Sequence, residues 1–118
     1  MLKLNHKNLD VWRIAMQFVS KIYKTTKVFP KEEMFGLTSQ IRRGAVSIVS
    51  NIAEGSARRS APDRKRFYEI SRSSLVEVDS QLEISHNLGY INDIDIQELE
   101  PYLEEIFAKI SNLIKSTK

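Results

Sequence analysis

The chain of 118 residues contains no cysteine. This excludes disulfide bonds and thiolate metal sites, and it argues against a small disulfide-stapled secreted scaffold. No apolar run reaches the roughly 18 residues of a membrane-spanning helix, and the first residues lack the apolar segment of a signal peptide. We therefore expect a cytoplasmic protein with no membrane partner, folded as one domain over residues 1–118.

Features of catalytic and cofactor sites are also scarce. The 4 glycines stand singly, so no glycine-rich loop is available to cradle a phosphate. The two histidines, His6 and His86, have no second ligand at metal-binding spacing. No nucleophile stands beside a base in any recognisable pattern. The sequence therefore predicts no metal, no cofactor and no enzymatic activity.

The net charge of +3 is unevenly distributed along the chain. Residues 1–35 carry +4, residues 36–76 carry +5, and residues 77–118 carry −6. Such asymmetry is typical of a nucleic-acid surface, and equally of head-to-tail self-association in which a basic face meets an acidic one. A third reading is the solvated exterior that long helices need. The charges alone leave all three readings open.

Apolar residues recur at helical spacing in four segments, and no segment shows strand alternation. The loops between the segments are short, so consecutive helices run antiparallel. The sequence therefore predicts an all-α protein, an up-down-up-down antiparallel four-helix bundle. We predict helices at about 9–27, 34–55, 61–88 and 95–115.

Several residues predict how these helices begin, end and pack. Ser60 is a good N-cap, and Gly55 and Gly89 are candidates for left-handed residues that end the second and third helices. Pro101 should kink the fourth helix or move its start to about residue 100. Gly44 costs about 1 kcal/mol relative to alanine inside a helix, which favours close approach of a neighbouring helix.

The first predicted helix carries apolar residues on two adjacent stripes, together wider than a two-helix contact needs. Two explanations stay open, namely deep burial within the monomer and a contact between subunits. The first stripe is Leu9, Trp12, Met16, Val19 and Tyr23, and the second is Val11, Ala15, Phe18 and Ile22.

The second predicted helix also has a polar stripe. If it runs antiparallel to the third helix about a turn centred on residues 58–59, Arg43 lies within one turn of Glu77. Glu54 then lies within one turn of Arg64 or Lys65. We predict an ionic seam that sets the register of these helices, rather than a carboxylate–arginine active site, because no nucleophile–base pair accompanies it. The seam residues are Gln40, Arg43, Ser47, Asn51, Glu54 and Glu77.

Basic residues gather around the turn between these helices. A basic first turn is unfavourable at a helix N-terminus, and a bound phosphate would resolve the conflict. The cluster predicts salt-sensitive, largely sequence-independent binding of RNA or DNA. The alternative is a solvated turn in which Glu69 pairs with basic residues of its own helix. The candidate binding residues are Arg42, Arg58, Arg59, Arg64, Lys65, Arg66 and Arg72.

Five segments carry a resemblance to a known family: LDVW at 9–12, FP at 29–30, FGLTSQIRRGAVSI at 35–48, SNIAEG at 50–55 and LGYI at 88–91. Over about residues 9–91 they resemble the 23S rRNA-intervening-sequence proteins. The sequence departs from the family pattern at Val49, Gly44 and Ser73, where proline, alanine and glycine respectively are common. These departures concern local helix packing.

The resemblance implies a four-helix bundle of bacterial origin, encoded within 23S rRNA genes or alone, with no established enzymatic activity. It also implies a homopentamer, because related proteins form such rings and associate with a reverse transcriptase and nucleic acid. It marks the polar stripe of the second helix as a family feature and gives it no role.

These observations together predict a non-enzymatic, homo-oligomeric bundle. Its basic face would bind nucleic acid or a ribonucleoprotein partner. The alternative is an oligomeric protein-interaction scaffold with no nucleic-acid role.

Overall fold

The computed structural model describes residues 1–118 as four helices without a strand. Helix α1 packs against α2 and α4, and α3 packs against the same two helices, so the four form an antiparallel bundle. This confirms the predicted fold. Short 3-10 turns at Asn5–Asn8 and Lys31–Glu33 precede α1 and α2. The helices are α1 (Asp10–Thr26), α2 (Leu37–Ser56), α3 (Ala61–Asn87) and α4 (Asp93–Ser116).

Side-chain caps fix the starts of α3 and α4. The hydroxyl of Ser60 accepts a hydrogen bond from the Asp63 N–H at 3.2 Å, as predicted. At α4 the Asn92 side chain accepts from the Asp95 N–H at 2.9 Å, and the Asp95 carboxylate accepts from the Asn92 N–H at 3.0 Å. This reciprocal capping box and the burial of Leu99 hold the turns before Pro101. The predicted start near residue 100 is therefore wrong.

The glycines that were expected to end helices differ from each other. Gly89 has φ +80°, so it ends α3 in the left-handed conformation as predicted. Gly55 is not left-handed and lies inside α2, so that prediction is wrong. A glycine is needed at this position because a side chain would not fit. A Cβ on Gly55 would lie 2.6 Å from Cε1 of Tyr68 on α3.

One apolar core runs through the bundle, with 16 buried residues in one cluster. Helix α1 contributes its second stripe, whose members Phe18 and Ile22 are fully buried. Its first stripe lies nearer the surface, where Met16 and Tyr23 are exposed. Burial in the monomer therefore accounts for one stripe of α1 and leaves the edge of the other in solvent. None of the four helices combines the length and the apolarity that crossing a membrane would need.

Small residues bring α2 and α3 into close contact. A Cβ on Gly44 would lie 2.5 Å from Cγ2 of Val78, which confirms the predicted close approach. One turn farther along, the fully buried Ser71 donates a hydrogen bond to the Ile48 carbonyl at 2.7 Å. A buried hydroxyl without a partner would be destabilising, so this bond holds the two helices in one register.

At the opposite end of the bundle, the α3–α4 connection is tied to the α1–α2 connection. The Tyr90 hydroxyl donates to Glu33 Oε2 at 2.9 Å, and its ring packs on Phe29 with centroids 5.4 Å apart. The next residue, Ile91, is buried in the apolar core. The hydrogen bond to Glu33 raises the pKa of Tyr90, and desolvation and the charges of Glu33 and Glu32 add to this effect.

We expect the substitution Gly44→Ala to lower the free energy of unfolding by about 1–3 kcal/mol, because the new methyl group overpacks against Val78. In a Val78→Ala background the same substitution should instead stabilise by up to about 1 kcal/mol, because only the gain in helix propensity remains. Urea denaturation of the four proteins measures this coupling. Equal effects of Gly44→Ala in both backgrounds would contradict it.

We expect the Tyr90–Glu33 contact to weaken with rising pH. A raised pKa means that the folded state holds the phenolic proton more tightly than the unfolded chain does. The contribution is thus fully present below tyrosine's ordinary pKa of 10.0 and is lost as the pH rises through the folded-state pKa. Comparing wild type with Tyr90→Phe by urea denaturation from about pH 8 to about pH 11 isolates this group. A stability difference that does not change with pH would contradict the expectation.

Candidate nucleic-acid interface

Five of the predicted basic residues lie together where α2 ends and α3 begins. We call this end of the molecule the basic tip, formed by Arg58, Arg59, Arg64, Lys65 and Arg66. Within it, Arg64 Nη1 donates to the backbone carbonyls of Arg59 at 2.7 Å and Arg58 at 3.3 Å. Arg64 therefore holds the connecting loop against the first turn of α3.

Two arginines of the basic tip are held against one aromatic ring. The Cζ atoms of Arg58 and Arg66 lie 4.6 Å and 4.7 Å from the centroid of Phe67. Arg58 also pairs with Glu54 at 2.8 Å, and Arg66 has a longer contact to Asp63 at 3.9 Å. Both side chains stay substantially exposed, so their guanidinium groups are oriented and still reachable from solvent.

Arg59 and Lys65 have no ion pair, and their side chains make no hydrogen bond. Glu69 pairs with none of its basic neighbours, so the ion pairs expected for a solvated turn are not formed. The basic tip thus contains two cations free to meet an external anion.

The other two candidate binding residues lie elsewhere and serve packing. Arg42 precedes Arg58 by sixteen residues, which is about 24 Å along a helix. Its Nε donates to the Thr26 hydroxyl at 2.8 Å, its Nη2 donates to the Tyr23 carbonyl at 3.4 Å, and its guanidinium covers the Tyr23 ring. Arg42 therefore satisfies groups at the C-terminal end of α1.

Arg72 joins α3 to α4. Its Nη1 donates to the Ser111 hydroxyl at 3.1 Å, and its Cζ lies 5.9 Å from the Phe107 ring centroid. The seven predicted binding residues therefore divide into five at the basic tip and two that link helices.

The polar stripe of α2 does face α3, through neutral groups. Ser47 and Ser74 share a hydrogen bond of 2.9 Å, and Asn51 Nδ2 donates to the Ser47 hydroxyl at 3.0 Å. Farther along, Gln81 Nε2 lies 3.5 Å from Gln40 Oε1. This seam of hydroxyls and amides fixes register without burying charge.

The predicted ion pairs of this seam are not formed. Arg43 and Glu77 border the same groove between α2 and α3, and they make no ion pair. Glu54 pairs with Arg58 rather than with Arg64 or Lys65. Because Ser47 lies opposite Ser74, Arg43 lies nearly level with Glu77, so the register does not account for the missing pair.

The observed register nevertheless differs by about one turn from the one that was assumed, as Ser47 shows. A turn centred on residues 58–59 places Ser47 opposite Ile70, whereas Ser47 contacts Ser74.

The principal extents of the bundle are 43 × 25 × 20 Å, and its two ends differ in charge. The basic tip stands at one end. At the other end, Glu32, Glu33, Asp93 and Asp95 lie in or beside the connections, together with the basic residues Lys24, Lys27 and Lys31. His86 Nε2 contacts Asp93 Oδ1 there at 2.7 Å. A concentration of one charge at one end attracts oppositely charged ligands to it.

The sequence did not reveal the role of Phe67, which is half-buried beneath the two arginines. The buried residue is its neighbour Tyr68, whose hydroxyl lies 3.1 Å from the Ser56 hydroxyl. An aromatic residue directly after a run of basic residues was the available signal. No group of three or more His, Asp or Glu side chains is placed to hold a metal ion.

The family model described as 23S rRNA-intervening sequence protein matches residues 7–112. A solved structure from Bacteroides thetaiotaomicron, described as a protein with unknown function from the S23 ribosomal protein family, is 22% identical with a TM-score of 0.82. The match covers 90% of this chain and 96% of that one, and at this identity it supports the fold alone.

Neither description assigns an enzymatic activity. No curated protein matches the chain. Since the family model spans nearly all of the bundle, from before α1 to within α4, the chain belongs to the family of 23S rRNA-intervening sequence proteins.

Proposed function

We propose that this protein is a non-enzymatic, homo-oligomeric binding module that associates with nucleic acid or a ribonucleoprotein through its basic tip. The observation that carries the proposal is the pair of unpartnered cations, Arg59 and Lys65, beside two arginines held on Phe67. Ordered guanidinium groups lose less conformational freedom when they bind a phosphate, which favours binding.

Side chains rather than the helix end would hold the phosphates. In the first turn of α3, Pro62 has no N–H and the Asp63 N–H is already bonded to Ser60. The usual anion site at a helix N-terminus is therefore largely occupied. Guanidinium and ammonium groups remain as donors, and they contact the backbone of RNA or DNA without reading its bases.

The aromatic residue beside the basic tip, Phe67, does not recognise bases either. Two guanidinium groups already lie over Phe67, so its ring is a support for arginines and not a platform for a base. We therefore expect binding that depends on salt and is similar for different sequences.

Self-association is the second part of the proposal, with a homopentamer as the assembly that the family resemblance suggests. The exposed apolar residues of α1, Met16 and Tyr23, support it because the monomer leaves them in solvent. An oligomer would present several basic tips to one nucleic acid and so raise the avidity of a small site. We propose a cytoplasmic bacterial protein whose partners are RNA, including ribosomal RNA, or DNA, or a nucleic-acid enzyme such as a reverse transcriptase.

A scaffold for protein partners, without a nucleic-acid role, is the alternative. Phe35 is 95% exposed and Met34 is 56% exposed, side by side before α2. Large apolar side chains in such positions are typical of protein contacts. Loss of RNA affinity on changing the basic tip, with no loss of self-association, would separate the two functions.

We expect Arg59→Ala/Lys65→Ala to weaken binding to structured RNA similarly for unrelated sequences. Removing two phosphate contacts should reduce the slope of log K against log salt concentration by about two. Fluorescence titrations at several salt concentrations measure both quantities.

The matched control is Lys24→Ala/Lys27→Ala, which removes the same charge at the other end of the bundle. It should leave the slope nearly unchanged. An equal loss in both variants would mean that only net charge matters, and unchanged affinity in the first would contradict the proposal.

A further inference from the structure

A groove between the C-terminal end of α1 and the first half of α2 is open to solvent and has a volume of 540 Å³. We call it the arginine groove, because Arg42 and Arg43 border it. Ser39, Arg42, Arg43 and Val46 stand at positions i, i+3, i+4 and i+7 of α2, so they project from one face of the helix. The basic tip follows the last turn of α2, so the arginine groove is a separate surface.

The guanidinium of Arg42 is held in one orientation at the edge of this groove. Its Nε donates to the Thr26 hydroxyl at 2.8 Å, its Nη2 donates to the Tyr23 carbonyl at 3.4 Å, and its Cζ lies 4.6 Å from the centroid of the Tyr23 ring. These contacts use two of its three nitrogens and leave Nη1 free to donate. An arginine that is already ordered loses little conformational freedom when it binds an anion.

The positive charge of the groove is not neutralised within it. Arg43 makes no ion pair, although it also borders the α2–α3 groove that contains Glu77. No acidic residue lines the arginine groove. Glu33 directly precedes Met34 of the groove, but its carboxylate oxygens accept from the Leu37 N–H at 3.2 Å and the Tyr90 hydroxyl at 2.9 Å. Uncompensated positive charge in a concave surface attracts an anion.

Hydroxyl groups line the same groove. Thr38 is 7% exposed, and its buried hydroxyl oxygen has no hydrogen-bond partner in the protein. Ser39 adds a second hydroxyl one turn before the two arginines. A buried hydroxyl without a partner is destabilising, and a ligand that accepts its hydrogen bond relieves this cost. The groove therefore offers neutral donors beside its two cations.

The arginine groove also has an apolar wall. Met34 is 56% exposed and Val46 is 42% exposed, and both line it together with Tyr23. Ligand pockets typically combine apolar walls with a few polar groups that fix the orientation of the ligand. A ligand that fits this groove therefore carries an apolar part beside its anionic group.

Charge decides which anion fits best. A phosphate monoester carries a charge of about −1.5 to −2 near neutral pH and has three strong acceptor oxygens. A carboxylate has a single charge and two oxygens. Two arginines with no acidic neighbour in the groove match the dianion, and its three oxygens match the guanidinium and hydroxyl donors.

We propose that the arginine groove binds a small phosphate monoester whose organic part is apolar and planar, such as a mononucleotide. The phosphate lies between Arg42 and Arg43, and the planar part packs on Met34 and Val46. This site shares no residue with the basic tip, so it adds a small-molecule ligand to the proposed function and does not rest on it.

The test is isothermal titration calorimetry with adenosine 5′-monophosphate (AMP) as the probe. The wild type should bind AMP at least about tenfold more tightly than adenosine or inorganic phosphate, because each of these lacks one part of the recognised chemistry. Arg43→Gln should weaken AMP binding at least about tenfold, since a charge-assisted contact is lost.

Thr38→Val provides a second variant, because it keeps the shape of the side chain and removes the hydroxyl. It should weaken AMP binding about fivefold and leave the ligand-free protein at least as stable in urea, since the hydroxyl has no partner there. A purely structural role of Thr38 would leave AMP affinity unchanged.

The matched control is Arg59→Ala/Lys65→Ala, which removes two cations at the basic tip. It should keep AMP affinity and lose RNA affinity, whereas Arg43→Gln should lose AMP affinity and keep RNA affinity. Circular dichroism confirms that each variant is folded. A wild type that does not bind AMP, adenosine or inorganic phosphate bound as tightly as AMP, or unchanged AMP affinity in Arg43→Gln overturns the proposal.

Discussion

The close contact between α2 and α3 is the constraint on which the rest of the molecule depends. The absent side chain of Gly44 admits Val78, and the hydroxyls of Ser47, Ser74 and Ser71 bond across the same contact. A displacement of one turn would clash at the glycine and break the bond of the buried Ser71 hydroxyl, so the observed register is the one that satisfies both. That register determines where the connecting loop falls and how its arginines are oriented.

The sequence was sufficient for the fold because helical periodicity needs only local information. The sequence was also sufficient at Gly44 and Gly89, because both predictions follow from the missing side chain of glycine. At Gly44 it admits a neighbouring helix, and at Gly89 it permits a positive φ. It failed where two helices had to be placed against each other. An assumed turn centre placed Ser47 opposite Ile70, one turn from the Ser74 that it contacts, and it paired Glu54 with Arg64 or Lys65 rather than with Arg58.

The candidate site was predicted as a set of charges, and charge alone does not say what a side chain does. Arg42 and Arg72 are as basic as Arg59, yet the first two bond to groups on neighbouring helices. Partner contacts depend on distances through space, which the order of residues does not contain. The arginines that remain available are those whose neighbours are loop atoms, an aromatic ring or solvent.

The bond between Tyr90 and Glu33 has a consequence for the order of folding. Its partners are 57 residues apart, so it closes a far longer segment of chain than any contact within the α2–α3 pair near their loop. Contacts of large sequence separation form slowly, because the chain must lose more entropy before they are made. We expect the α2–α3 hairpin to form early and the two connections at the far end to become ordered together after it.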